Sequence, residues 1–179
     1  MKLYCPVCNS KQEVSIISKE ETYPVKGEPI TIMASICTCA SCGEEILSLQ
    51  HDDDNLRRAY AIYRSRHNLL QSEEIKAIRD QYGISQVNFA RILGVGDKTI
   101  ARYENGSLQD EAINNLILLA KNPENFVILL EKNKAAIPSE EVERLMQING
   151  SVKVYTVWEN KQSPFAYSFN QEAQMISCA

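Results

Sequence analysis

The sequence predicts an α+β protein: a small, cysteine-clamped β-hairpin domain, then an all-α domain, then a C-terminal extension. Three observations predict it. Two Cys-x-x-Cys pairs, Cys5–Cys8 and Cys39–Cys42, bracket a stretch with partial two-residue apolar alternation. From Ser72 onward, apolar residues recur at three- and four-residue spacing. Inside that helical stretch, Gly94-Val95-Gly96 parts two short helical patterns with a turn. The chain then divides into residues 1–50, a linker helix over 51–71, a helical domain over 72–132 and an extension over 133–179.

In the first domain, Glu13–Tyr23 and Pro29–Ile36 read as extended segments around a Lys26-Gly27-Glu28 turn. Val14, Ile16 and Ile17, then Ile30, Ile32 and Ala34, supply the alternation. So small a hairpin buries little, and a metal would supply much of its folding free energy. A two-residue spacer folds the backbone into a knuckle with both sulfurs facing inward, and Gly43 suits the left-handed turn that follows. Cys5, Cys8, Cys39 and Cys42 are therefore the expected ligands of one structural Zn²⁺, with sulfur about 2.3 Å from the metal. Paired cysteines in an intracellular chain read as a metal site before they read as disulfides. Cys37 offers one more sulfur nearby, and is read as a small buried thiol; Cys178 is read as a free surface thiol.

Catalysis finds no support. Four cysteines leave no open position for a metal-bound water. Neither His51 nor His67 has a glutamate two residues on, as a zinc deaminase requires. No βαβ pattern surrounds the cysteine pairs as in a thiol oxidoreductase.

Asp52-Asp53-Asp54 precede the linker helix, capping it and complementing its dipole. Leu56, Tyr60, Tyr63 and His67 fall on one stripe among arginines, and the helix reads equally as a solvated linker or as one lying near a nucleic-acid backbone or a second copy. Ser72-Glu73-Glu74 opens the first helix of the all-α domain; Ile75, Ile78 and Tyr82 follow at helical spacing and Gly83 ends it. Ser85 caps the second, which buries Phe89, Ala90 and Leu93. The third runs from about Asp97 to Glu104, burying Ile100 and Tyr103 and turning Lys98, Thr99 and Arg102 outward. Two short helices crossed at a tight turn, the second presenting long donors, make a helix-turn-helix. Leu108–Ala120 is the fourth helix, with Ile113, Leu116, Ile117 and Ala120 inward. Asn122-Pro123 starts the fifth, with Phe126, Val127, Leu129 and Leu130 on its apolar side.

These residues resemble the Xre/lambda-repressor-like helix-turn-helix family. The resemblance is carried by Gln86, Ala90-Arg91-Ile92-Leu93-Gly94-Val95, Thr99-Ile100 and Glu104-Asn105-Gly106. In the extension, Pro138-Ser139-Glu140-Glu141 begins a short helix through Ile148, and Val152–Trp158 reads as a strand.

Charge is unevenly placed. The net charge of −4 argues against nucleic acid until it is located. Residues 1–56 carry four Lys/Arg against nine Asp/Glu, residues 57–103 nine against four, and residues 104–179 six against ten. The basic third coincides with the helix-turn-helix, and phosphate binding needs a local basic surface rather than a basic protein. Lys98 and Arg102, at i and i+4, can reach guanine O6 and N7. Thr99 suits a thymine methyl or a phosphate, and Gln86 a phosphate beside the helix-two dipole. A homodimer on a palindromic operator in double-stranded DNA is the expected assembly. No apolar run is long enough to span a bilayer and MKLYCPVC has no signal-peptide layout, so no membrane partner and a cytoplasmic location are expected.

Cys5-Pro6-Val7-Cys8 and Cys39-Ala40-Ser41-Cys42-Gly43-Glu44-Glu45, joined to Arg102-Tyr103-Glu104-Asn105-Gly106 and Asn122-Pro123-Glu124, resemble the MqsA/YgiT-type antitoxin family over roughly residues 1 to 132. That resemblance implies a dimeric repressor of its own operon, whose zinc domain binds and neutralises a toxin encoded alongside it, often an mRNA-cleaving ribonuclease. Family members read bases with an Asn and an Arg on the recognition helix. Arg102 matches; Lys98 stands where the family has Asn, so a different operator is implied. The alternative reading is a zinc-containing transcriptional regulator without a toxin partner.

Overall fold

The computed structural model of the chain describes residues 1–148. It is a mixed α/β protein with an N-terminal antiparallel sheet and a helical remainder. The expected strand at Val152–Trp158 and Cys178 lie outside the described residues.

The sheet is built on one long hairpin. Strand β2 (Ser10–Val25) pairs with β3 (Glu28–Cys39) from Val14↔Cys39 to Val25↔Glu28 without a register break. Lys26 and Gly27 close it with φ of 48° and 85°. Two successive positive φ values match the right-handed twist of the strands, which is why Lys-Gly serves there. Two short strands, β1 (Lys2–Cys5) and β4 (Glu45–Ile46), flank the hairpin and complete the order β1-β2-β3-β4. The sequence pattern predicts the hairpin alone. The flanking strands escaped it because each is only a few residues long.

Helix α1 (Leu49–Arg66) lies across β3. Val25, Ile30, Ile32, Ala34 and Ala59 are buried between them, with Tyr23, Ile36, Tyr60, Ile62 and Tyr63 half-buried around. The helix starts ahead of the three aspartates, so Asp52 lies in its first turn and accepts from the Ser48 N–H at 3.2 Å. Its fully buried positions are Asn55, Ala59 and Arg64; of the stripe, Tyr60 and Tyr63 pack half-buried on the sheet and His67 is exposed. Asn55, fully buried, closes part of the outer edge of β3. Its side chain accepts from the Ser35 N–H at 2.9 Å and donates to the Ser35 carbonyl at 3.0 Å, as a further strand would.

The other helices enclose one apolar core. They are α2 (Ser72–Asp80), α3 (Gln86–Ile92), α4 (Thr99–Glu104), α5 (Glu111–Ala120), α6 (Pro123–Asn133) and α7 (Ser139–Ile148). Phe89 and Phe126 are fully buried, and Phe126 stacks on Tyr82 with ring centroids 3.7 Å apart. Ile137 and Leu145 belong to the same core, so packing continues past residue 132. At the start of α2, the Glu74 carboxylate accepts from the Gln71 N–H at 2.7 Å. The cap is thus one residue earlier than expected, and the Ser72 hydroxyl donates instead to the Tyr103 carbonyl at 2.7 Å. Helix α5 starts at Glu111 rather than Leu108, because Gln109 is buried and spent on a polar junction.

That junction joins the two halves. Arg64 is 2% exposed, and its guanidinium donates to the Gln109 side-chain oxygen at 3.0 Å and to the Gly106 and Ser107 carbonyls at 2.9 and 2.7 Å. Gln109 in turn donates to the Leu70 carbonyl at 2.6 Å, and Asn114 accepts from the Leu70 N–H at 2.8 Å. Among the described residues no carboxylate forms an ion pair with Arg64; carbonyl oxygens just past the C-terminal end of α4 offset its burial. No helix among the described residues is long and apolar enough to cross a membrane.

Candidate metal centre and nucleic-acid interface

The ends of the hairpin bring the two cysteine pairs together. The sulfurs of Cys5, Cys8, Cys39 and Cys42 all lie within 4.8 Å of one another. Cys5 Sγ is 3.5 Å from Cys42 Sγ, and Cys8 Sγ is 3.9 Å from Cys39 Sγ. A tetrahedral ion with metal–sulfur bonds of about 2.3 Å sets its ligand sulfurs about 3.8 Å apart, so the set fits one such ion. The local backbone explains the arrangement. In each pair the residue after the second cysteine is left-handed: Asn9 has φ 49° and Gly43 has φ 78°. Asn tolerates that region best among side-chain-bearing residues, and here its side-chain oxygen accepts from the Tyr4 hydroxyl. The Cys8 N–H donates to Cys5 Sγ at 3.4 Å, and the Gly43 N–H to the Cys39 carbonyl at 2.8 Å. Asn9 occupies in the first knuckle the position Gly43 occupies in the second, a signal present in the sequence.

Four thiols this close do not ionise independently. Cys8 is pushed up to about 12, first by its hydrogen bond with Cys42 and then by desolvation. A bound cation inverts that preference, because a coordinating thiol is deprotonated outright. Cys37 stands outside the four-sulfur group. It is buried at 2% exposure, opposite Ile16 on β2 and Ile46 on β4, as a small apolar thiol.

Around the turn between α3 and α4, Ser85 caps α3 by accepting from the Asn88 N–H at 3.1 Å, and Gly94 reverses the chain at φ 72°. Arg91 grips Asp97 across the turn at 3.0 and 2.8 Å, which holds the Asp97 carboxyl below its usual range. Helix α4 begins at Thr99, two residues later than expected, with Lys98 as its cap. Ile100 and Tyr103 face the core; Lys98 and Arg102 are exposed, and Thr99 is half-buried.

Gln86 is more constrained than the sequence suggested. Its amide donates to Glu104 at 2.6 Å, and Glu104 also accepts from Arg79 at 2.6 and 2.9 Å. Burial pushes the Glu104 carboxyl up, but the Arg79 guanidinium and the Gln86 amide outweigh it and hold the group below its usual range. The Gln86 amide keeps a second N–H for an outside acceptor. Arg79, Glu104, Arg64, Gln109 and Asn114 carried no sequence signal as partners, since each bond joins residues distant in the chain.

With this geometry in view, the chain can be set beside known proteins. The model of a family described as the antitoxin component of bacterial toxin–antitoxin systems, MqsA, matches residues 1–131. Antitoxin PezA of Streptococcus pneumoniae serotype 4 is 32% identical over 78 residues, which cover 42% of this chain and 48% of that protein. The match thus spans about half the length of that relative.

Proposed function

The chain belongs to the MqsA family of antitoxin components, and from that premise we propose a zinc-containing, sequence-specific DNA-binding repressor that autoregulates its operon and binds the toxin encoded with it. In this reading α3, the Gly94 turn and α4 are a helix-turn-helix within a five-helix Xre-like unit, and α4 is its recognition helix. The observation that carries the reading is the two-sidedness of α4. Ile100 and Tyr103 are anchored in the core while the side chains of Lys98 and Arg102 are exposed and make no hydrogen bond or ion pair among the described residues.

Lys98 and Arg102 then reach base edges, each good contact giving about 1–3 kcal/mol of discrimination. Thr99 meets a thymine methyl or a phosphate. Gln86, oriented by Glu104, turns its second N–H to a phosphate. Two copies on half-sites spaced about 34 Å apart give a palindromic operator. Zinc in the Cys5, Cys8, Cys39 and Cys42 set is structural: it holds the two knuckles together and performs no chemistry. The toxin docks on the sheet, where exposed Tyr4, Val7, Ile16 and Met33 lie in the acidic third of the chain.

A gel-shift titration of the upstream region tests the DNA reading. Arg102→Ala is expected to lose roughly 10-fold or more in preference for that region over random DNA. Equal preference in wild type and variant would overturn the site. Co-purification of the neighbouring gene's product with the chain tests the toxin reading separately.

A further inference from the structure

Of the nine Lys/Arg between residues 57 and 103, five are already held. Arg58 donates to the Met33 carbonyl at 2.8 Å, Arg66 pairs with Glu28 at 2.6 Å, Arg79 with Glu104 at 2.6 Å and Arg91 with Asp97 at 2.8 Å. Arg64 is buried on the carbonyls that follow α4. The side chains of Lys76, Lys98 and Arg102 make no hydrogen bond or ion pair among the described residues. Arg57 has only a 4.0 Å contact with Asp54. The basic third of the sequence is therefore mostly internal wiring, and four cations remain for a polyanion.

Arg102 is on α4 and Lys98 caps it, Lys76 is on α2, and Arg57 is on α1, outside the helical core. Its position is set by its neighbours. Arg57 and Arg64 are seven residues apart, two helical turns, and so share a face of α1. Arg64 fastens that face to the segment after α4. Arg57 then lies over Gly106, so closely that a Cβ at Gly106 would come within 3.0 Å of Arg57 Cγ. The six residues of α4 span about 9 Å, less than the roughly 12 Å width of the major groove. With its N-terminal half in the groove, its C-terminal end is left at the groove's lip, where the sugar-phosphate wall runs.

We propose that Arg57 of α1 binds a DNA backbone phosphate beside the C-terminal end of α4, so that the helix packed on the cysteine-bearing sheet forms part of the DNA interface. This rests on the DNA-binding reading given above. Arg64 acts here as a positioning residue: it fixes α1 against α4, so Arg57 is held ready rather than ordered on binding. Asp53 and Asp54, one turn before Arg57, oppose the contact, and Asp54 is the nearer.

The test is salt-dependent binding of the full chain to its upstream region and to a random-sequence duplex. Arg57→Gln is expected to make the slope of log K against log salt shallower by about 0.9 for each bound copy. Near 0.1 M salt that corresponds to roughly eightfold weaker binding per copy, equal on both duplexes. Arg57→Lys should restore the slope. Asp54→Asn, which keeps Arg57, should tighten binding on both duplexes and keeps the test decisive if Arg57→Gln unfolds. A wild-type slope in Arg57→Gln, or no gain in Asp54→Asn, would overturn the proposal while leaving an Arg102-dependent sequence preference intact. Conversely, a chain that binds both duplexes alike, with the slope still set by Arg57, would sink the operator reading and keep this contact. Failure of the wild type to bind either duplex would end both.

Discussion

Among the described residues, fourteen buried residues join Phe89 and Phe126 in the helical half, whereas at the cysteine end of the sheet only Cys5, Cys39 and Ile46 are buried together. Both regions are well ordered by their contacts, but the sources of order differ. The helical core excludes water from side chains contributed by six helices. The cysteine end has too little apolar area for that, and depends on four sulfurs being drawn to one point. The far end of the same hairpin lies between: Val25, Ile30, Ile32 and Ala34 are covered by α1, so it borrows a core from the next element.

With zinc bound as proposed at Cys5, Cys8, Cys39 and Cys42, removing it breaks this comparison most severely. Structural zinc in small domains contributes about 10–16 kcal/mol of apparent binding free energy. Chelation, or Cys39→Ser, is therefore expected to open both knuckles. Hydrogen exchange should show amides of residues 5–10 and 39–44 losing protection while those of α3 keep theirs. Equal loss in both regions would show that the sheet and the helical core stand or fall together.

The reciprocal perturbation is Phe89→Ala. A fully buried Phe truncated in a packed core costs about 3–5 kcal/mol. Urea unfolding should show that loss in the helical half, while metal stoichiometry stays at the wild-type value. Metal release at the same urea concentration as helix loss would contradict the separation.

The smallest effect sharpens the contrast by pH. Glu104→Gln leaves Arg79 with a weakened partner and should cost about 3 kcal/mol at neutral pH, the lower end for breaking a buried pair. Because the folded Glu104 carboxyl is held below its usual range, its contribution is fully present above the unfolded value of about 4.3 and is lost as pH falls through the folded value. The gap between wild type and Glu104→Gln in urea midpoint should therefore narrow below about pH 4. A constant gap down to acid would show that charge is not what holds the Arg79–Glu104–Gln86 set.

Much of this was legible because it is local. Cys-x-x-Cys spacing, the capping serine at Ser85, Gly94 and the Asn122-Pro123 start each act within a few residues. Helix boundaries were read less well where a long-range bond competes. Gln109 keeps α5 from starting at Leu108, and Gln71 rather than Ser72 opens α2 because the Ser72 hydroxyl is taken by the Tyr103 carbonyl. The packing of α1 on the sheet is not legible in the sequence for a related reason. Asn55 and Arg64 count as surface residues in a periodicity argument, yet both are buried because the backbone groups they meet have no other partner.

By itself, then, the sequence determined the four sulfurs, the turn between α3 and α4 and the outward pair Lys98 and Arg102. Spacing along a helix or knuckle is a covalent property that survives any packing. Only the tertiary structure decided which arginines are spent internally, how Gln86 is held, and that α1 is bolted through Arg64 to the end of α4. Those outcomes depend on which distant donors and acceptors meet when water is excluded, and no local pattern encodes that.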